Sequence, residues 1–135
     1  MKYFDYDIRI RYSETDQMGV CYYANYLSWF EVGRTEFFRA LGLPYTECEK
    51  NEVYLPVGEV YCRYHSPLRY DDLITIRTMV TMLKRSSIRF DYEITKKGSD
   101  VCIAEGHTKH VFVNKEMKPC RIPKEICEKV EVYSS

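Results

Sequence analysis

Apolar and polar residues alternate from residue 5 to 12, with Ile8, Ile10 and Tyr12 on one face and Asp7, Arg9 and Arg11 on the other. A period of two over this length predicts a strand with one buried face. Residues 13–21 carry Ser, Glu, Thr, Asp and Gly19 and read as a loop. From about Tyr22 to Leu41 the period lengthens to that of a helix. Tyr23, Leu27, Phe30, Phe37 and Leu41 form one stripe, and Tyr26 and Gly33 widen it. Gly42 and Pro44 supply the stop. A stripe this bulky predicts a buried helix. Gly33 costs about 1 kcal/mol of helix propensity, which predicts close backbone packing at that point.

After a polar stretch at 45–52, four segments rich in β-branched and aromatic residues follow, at roughly 55–65, 72–83, 86–96 and 101–114. Turn chemistry separates them: Ser66-Pro67 with Tyr70-Asp71-Asp72, then Lys84-Arg85-Ser86, then Lys97-Gly98-Ser99-Asp100. Short connections predict antiparallel neighbours, hence a four-strand meander. The tail beyond Pro119 predicts one helical turn near 124–129. One strand, one long helix and four strands make an α+β order, which a single sheet wrapping a central helix satisfies. No repeat, low-complexity tract or linker interrupts residues 1–135, so one domain is expected. A sheet this small cannot close on itself, and its open edge predicts self-association.

Twenty basic and twenty acidic side chains leave a formal net charge of zero. That lacks the excess that phosphate-backbone binding draws on, so no nucleic-acid partner is expected. Aromatic residues reach 15%, led by thirteen Tyr. Tyr suits strands and contact surfaces, which strengthens the expectation of a homo-oligomer. Six cysteines contain no C-x₂-C unit, so a zinc site of the usual spacing is absent. His107 and His110 point to opposite faces of a strand and cannot share one metal. No metal is expected. The opening MKYFDYDIRIRY lacks the apolar core of a secretory signal, and no apolar run is long enough to span a bilayer. Free thiols in a reducing cytoplasm are therefore expected.

The loop YSETDQMGVCYYANY, residues 12–26, is the most informative segment. It sets Asp16 a few residues before the helix start, where unpaired N–H groups and the helix dipole favour negative charge. Such a pair suits acyl transfer: the carboxylate attacks or activates water while an N–H holds the oxyanion. Spacing alone favours the plainer role of a turn cap.

The run Y-x-E-T-D-x-x-G-V-x-Y-x-x-N-Y, with WFEVGRTEF at 29–37 and YHSPLRYDDLITI at 64–76, resembles the hotdog-fold acyl-CoA thioesterases. It is most similar to the branch containing 4-hydroxybenzoyl-CoA thioesterase and the small thioesterase of the Tol–Pal cluster. The resemblance extends to near Asn114. It implies the hotdog fold, an antiparallel five-stranded sheet wrapped around one long central helix. It implies hydrolysis of an acyl-CoA, or of an acyl carrier protein thioester, to a carboxylic acid and the free thiol, without metal or redox cofactor. Asp16 matches the nucleophile or general base, and Tyr23 the position whose backbone N–H polarises the thioester carbonyl. Some relatives carry His at that position. Tyr12 matches a tyrosine bordering the site. Glu31 lies on the helix where a neighbouring branch uses a carboxylate; its plainer role is an ion pair with Arg34 or Arg9. Lys84 and Arg85 match bases that meet the phosphates of CoA, and Ser86 replaces a third base of one relative. Two subunits joined into one sheet, as a dimer or a dimer of dimers, are also implied.

Two other readings stand beside the hydrolase. A hotdog hydratase or dehydratase needs a His working with an acid, and neither the loop nor the helix has one. A non-catalytic acyl-binding or interaction module would use the same groove. His65, beside Pro67 at a strand end, reads as a surface or interface histidine.

Overall fold

The computed structural model describes residues 2–134. Strands β1 (Phe4–Arg9), β2 (Val57–Tyr64), β3 (Leu73–Leu83), β4 (Ser87–Lys96) and β5 (Ala104–Val111) pair into one antiparallel sheet. Helix α1 (Asn25–Ala40) packs against β1, β3 and β4. The period-two pattern of β3, β4 and β5 explains why one face is buried. Ile74, Ile76, Ile88, Phe90, Tyr92 and Ile94 turn inward, with polar or half-exposed residues between them.

The sheet order is β1-β3-β4-β5-β2, which corrects the expected four-strand meander. Strands β3, β4 and β5 do follow one another. β2 instead lies at the far edge beside β5, with Tyr64 opposite Ala104. The stretch between β2 and β3 is long enough to cross the end of the sheet, and Leu68 within it is fully buried. Antiparallel pairing was the sound part of the expectation; adjacency was not.

The helix begins at Asn25, three residues later than the periodicity suggests, because Tyr22 to Ala24 form a turn. Its buried face is Tyr26, Trp29, Phe30, Gly33, Phe37 and Phe38. Tyr23 and Leu27, expected on the stripe, are exposed instead, at 62% and 38%. Gly33 does mark a close approach. A Cβ there would stand 2.5 Å from the Thr78 hydroxyl oxygen and 2.9 Å from an Ile76 methyl. Phe30 stacks on Tyr92 with ring centroids 4.3 Å apart, joining helix to sheet at the centre of the core.

Three boundaries differ from the sequence reading. Residues 45–52, read as polar loop, contain helix α2 (Tyr45–Lys50), which buries Cys48. With one buried residue in six, its period has nothing to register. The tail forms α3 (Lys124–Ser134), longer than one turn, with Ile126 and Val130 inward and Tyr133 Oη donating to the Tyr3 carbonyl at 2.7 Å. Strand β1 stops at Arg9, so Tyr12 leaves the buried face that Ile10 keeps and is 76% exposed. His110 is buried and His107 faces outward against Glu59, as the alternation requires. All six cysteines are free thiols. Among the described residues, no helix is long and apolar enough to cross a membrane.

Candidate active site

Between β1 and α1 the chain folds back on itself as a short hairpin. Thr15 bridges Cys21, Asp16 N–H donates to the Val20 carbonyl at 2.9 Å, and Gly19 N–H returns to the Asp16 carbonyl at 3.0 Å. Gly19 sits at φ +78°, in the left-handed region that glycine occupies without a steric penalty. Asp16 is half-buried at the tip, and its Oδ1 accepts the Met18 N–H at 2.9 Å. The plain turn-capping contact therefore forms, and it engages one carboxylate oxygen. Among the described residues no cation pairs with Asp16.

Glu14 fixes this hairpin to the helix. Its carboxylate accepts the Arg11 N–H at 2.8 Å and the Trp29 indole N–H at 3.0 Å. Its backbone carbonyl accepts from Tyr22 N–H at 2.9 Å and Asn25 Nδ2 at 2.8 Å. Asn25 and Trp29 lie four apart, so both reach the hairpin from one face of α1. Glu14, Asn25 and Trp29 lie inside the sequence motifs, but the sequence alone assigns them no role. Their spacing was the available signal.

The start of α1 has no side-chain cap, and Ala24 already has helical dihedrals. The N–H groups of Asn25, Tyr26 and Leu27 close tight bonds to carbonyls three residues back. Among the described residues, the Tyr23 N–H meets no acceptor. A free N–H at the positive end of a helix is suited to a developing oxyanion. On its other side the same residue is held: Tyr64 Oη, at the end of β2, donates to the Tyr23 carbonyl at 2.9 Å. Nothing local in the sequence announces that contact.

Beside this point lies a groove of about 310 Å³ lined by Cys21, Tyr23, Tyr26, Tyr64, His65, Ser66 and Pro67. The Tyr26 and Tyr64 rings meet edge-on at 4.8 Å, and Tyr23 approaches Tyr64 at 6.5 Å. Burial, then the carboxylates of Glu14, Asp72 and Asp16, push the Cys21 thiol up to about 11. Burial pushes the Tyr26 phenol up to about 12. Neither supplies a nucleophilic anion at neutral pH. Glu14 spends both its oxygens on structure, so Asp16 is the carboxylate with an oxygen to spare.

The other sequence candidates lie apart. Tyr12 opens the hairpin within a single helical turn, its ring edge-on to Tyr70 at 5.6 Å. Glu31 is exposed on α1, about 9 Å along the axis from Asn25 at 1.5 Å per residue. It borders a small cavity of about 140 Å³ with Arg34, Tyr45 and Leu55. The ion pair expected for Glu31 does not form, because Arg9 pairs with Asp71 at 3.6 Å and Arg34 makes no ion pair among the described residues. Lys84 and Arg85 are exposed in the β3–β4 turn. The Asp16 hairpin springs from the opposite end of the sheet, where Arg9 faces Leu73. The length of β3, roughly 33 Å at 3.3 Å per residue, separates the two. One chain does not bring these bases to Asp16.

The profile of the thioesterase-like superfamily matches residues 10–130. The chain belongs to that superfamily. Among curated members, it is 36% identical over 119 residues to a putative acyl-CoA thioesterase YneP of Bacillus subtilis, covering 87% of this chain and 86% of that protein. It is 30% identical over 125 residues to the acyl-CoA thioesterase YbgC of Haemophilus influenzae, covering 91% and 90%. Among solved structures, a DHNA-CoA thioesterase of Staphylococcus aureus superposes with a TM-score of 0.89 at 31% identity, over 99% of this chain and 90% of that one. The hotdog-type thioesterases are thus the structural neighbours of this superfamily member, and its five-stranded antiparallel sheet agrees with them.

Proposed function

We propose that this chain is an acyl-CoA thioesterase, one hotdog domain over residues 1–135 whose sheet curves around α1. What supports the reading is that the hairpin carrying Asp16 is fastened to the start of α1, next to the Tyr23 N–H. A half-buried carboxylate is tied through Glu14 to an uncapped helix start. Asp16 takes the proton of an attacking water, or itself attacks the thioester carbonyl. The carbonyl electrons move to oxygen and are met by the Tyr23 N–H. Collapse breaks the C–S bond and releases the thiolate of CoA, leaving the carboxylic acid directly when water attacks, or an Asp16 acyl anhydride that a water then hydrolyses to the acid and free Asp16. Tyr12 borders the entrance, and Glu31 is the reserve carboxylate. No metal or redox cofactor takes part. The similarity to YbgC supports the Tol–Pal-associated branch, and free thiols suit a cytoplasmic setting.

Strand order and exposure support self-association through β2. The outer edge of β2 is open and exposes Val57, Val60, Tyr61 and Tyr64 alongside Glu59 and Arg63. The opposite edge, β1, is charged, with Asp5, Asp7 and Arg9 engaged by Arg77, Lys97 and Asp71. A two-fold pairing of β2 with the β2 of a second copy sets the Tyr64 end of one chain against the Val57 end of the other. That brings Lys84 and Arg85 of the second copy toward the Asp16 hairpin, where they would bind CoA phosphates. Dimer and dimer of dimers both contain this pairing.

The test is thiol release from a panel of acyl-CoA and acyl carrier protein thioesters. Turnover of one acyl-CoA class is expected. Binding without thiol release across the panel would instead mark an acyl-binding module, and hydration of an enoyl-CoA a hydratase.

A further inference from the structure

We propose that His65, Cys102 and Glu105 form a site for a divalent cation of the Zn²⁺ type, at the rim of the groove that His65 also lines. One ligand atom from each residue lies within 4.8 Å of the other two. His65 Nε2 and Cys102 Sγ each stand 3.7 Å from Glu105 Oε2. A tetrahedral cation with N and O at about 2.0 Å and S at about 2.3 Å sets its ligands roughly 3.3–3.5 Å apart. Small side-chain rotations close the difference.

The backbone holds the three positions already. Pairing of β2 with β5 sets Tyr64 opposite Ala104 and Arg63 opposite Glu105. Just past β2, the N–H groups of His65 and Ser66 both donate to the Ile103 carbonyl, at 2.9 and 3.2 Å. Cys102 enters from the loop before β5, its thiol 3.4 Å from the Ala104 carbonyl. Two ligands are exposed and one is half-buried, so a hydrated cation reaches the site and retains water as its fourth ligand.

The donor set selects the ion. Thiolate, imidazole and carboxylate together suit a borderline-soft transition metal, whereas Ca²⁺ and Mg²⁺ take oxygen ligands. Arg63, across the register from Glu105, makes no ion pair with it among the described residues, so no side-chain guanidinium neutralises the carboxylate. Ligation by the thiol exchanges a proton: the S–H bond breaks, a sulfur–metal bond forms, and the proton passes to water. The absence of a C-x₂-C unit excluded only sites of local spacing. This one is assembled from residues distant in sequence by strand pairing.

Cobalt(II) chloride alone is the probe, titrated into metal-free full-length protein. The expected result is one equivalent per chain, with a thiolate-to-cobalt charge-transfer band in the near ultraviolet that Zn²⁺ displaces. Cys102→Ser should abolish that band. Glu105→Gln and His65→Ala should each weaken binding by about tenfold or more, at least what removal of an outer-shell partner costs. Cys127→Ser, which alters a thiol on α3, should leave band and affinity intact. Glu105 is exposed, so Glu105→Gln should match the wild-type melting temperature without metal, keeping the comparison valid if Cys102→Ser folds poorly. An undiminished band in Cys102→Ser, or equal Co²⁺ affinity in Glu105→Gln and wild type, overturns the site.

Discussion

Asp16 shows how one side chain carries a structural contact and a candidate chemical one on different atoms. Its Oδ1 holds the Met18 N–H, and Asn can accept that bond equally well. Asp16→Asn should therefore leave the melting temperature in place while kcat falls roughly 10²–10⁴-fold, the range of a lost general base. Asp16→Ala also loses the turn bond and should cost about 1 kcal/mol in urea unfolding. Near-wild-type turnover by Asp16→Asn would leave the turn bond as its sole role. His110 gives a second residue-scale prediction. Burial pushes its imidazole down to about 4 from 6.5. Its ring bonds to the Leu55 carbonyl at 3.1 Å and to Thr108 at 2.8 Å, and Thr108 meets the Tyr92 hydroxyl at 2.6 Å. The unfolded chain binds the proton more tightly, so this contribution is present above about pH 6.5 and is lost as pH falls toward 4. From pH 7 to 5 the loss should be about 2 kcal/mol, and His110→Gln should lose that much less over the same interval. Equal losses in both proteins would reject it. At this scale Asp16 was legible because motif and helix start are adjacent in sequence. Tyr64 was not, because its contact with Tyr23 exists only after β2 pairs with β5.

Elements were legible wherever a period ran long enough to outlast its exceptions. Strands β2 to β5 and α1 lie within the stretches the sequence marks, and β1 starts one residue early, at Phe4; the alternation is cleanest in β3, β4 and β5, which each set one face on the core. The misplaced helical stripe has a local cause. Tyr23 precedes the first helical residue and lines the groove, so the helical period does not govern it, and Leu27 in the first turn is exposed. Close packing at Gly33 makes a direct test. Gly33→Ala gains about 1 kcal/mol of helix propensity but drives a methyl into Thr78 and Ile76 on β3, costing roughly 1–3 kcal/mol. A net destabilisation of up to about 2 kcal/mol is expected from chemical denaturation; a gain would mean that helix and sheet separate easily here. The link from β2 to the helix start makes another. Tyr64→Phe keeps the ring contacts with Tyr23 and Tyr26 but removes the phenol bond to the Tyr23 carbonyl, leaving it only the Tyr26 N–H at 3.3 Å. If that bond orients the oxyanion donor, kcat should fall about tenfold with KM nearly unchanged, the signature of an interaction used in the transition state. A change confined to KM would assign Tyr64 to substrate binding alone.

For the molecule as a whole, the separation of Asp16 from Lys84 and Arg85 becomes informative once a second copy is considered. Within one chain the two stand beyond opposite ends of β3, the Asp16 hairpin at the Leu73 end and the bases just past Leu83. A shared site resolves the geometry and predicts subunit complementation. Asp16→Asn should be inactive, and Lys84→Ala/Arg85→Ala should bind acyl-CoA poorly, with a raised KM that salt makes less distinct from wild type. Mixed and reassociated, the two variants form hybrid dimers in which one site regains Asp16 from one chain and both bases from the other. Random pairing of equal amounts should restore roughly a quarter of wild-type sites, measured as thiol release at substrate levels below the variant KM. Val60→Glu, placed at the middle of the open β2 edge, should set like charges across the two-fold axis and shift the mass by light scattering toward the monomer. The same change should remove complementation. Sites confined to one chain predict no gain on mixing beyond the average of the two variants, and that result would also remove the β2 pairing as the reason for the open edge.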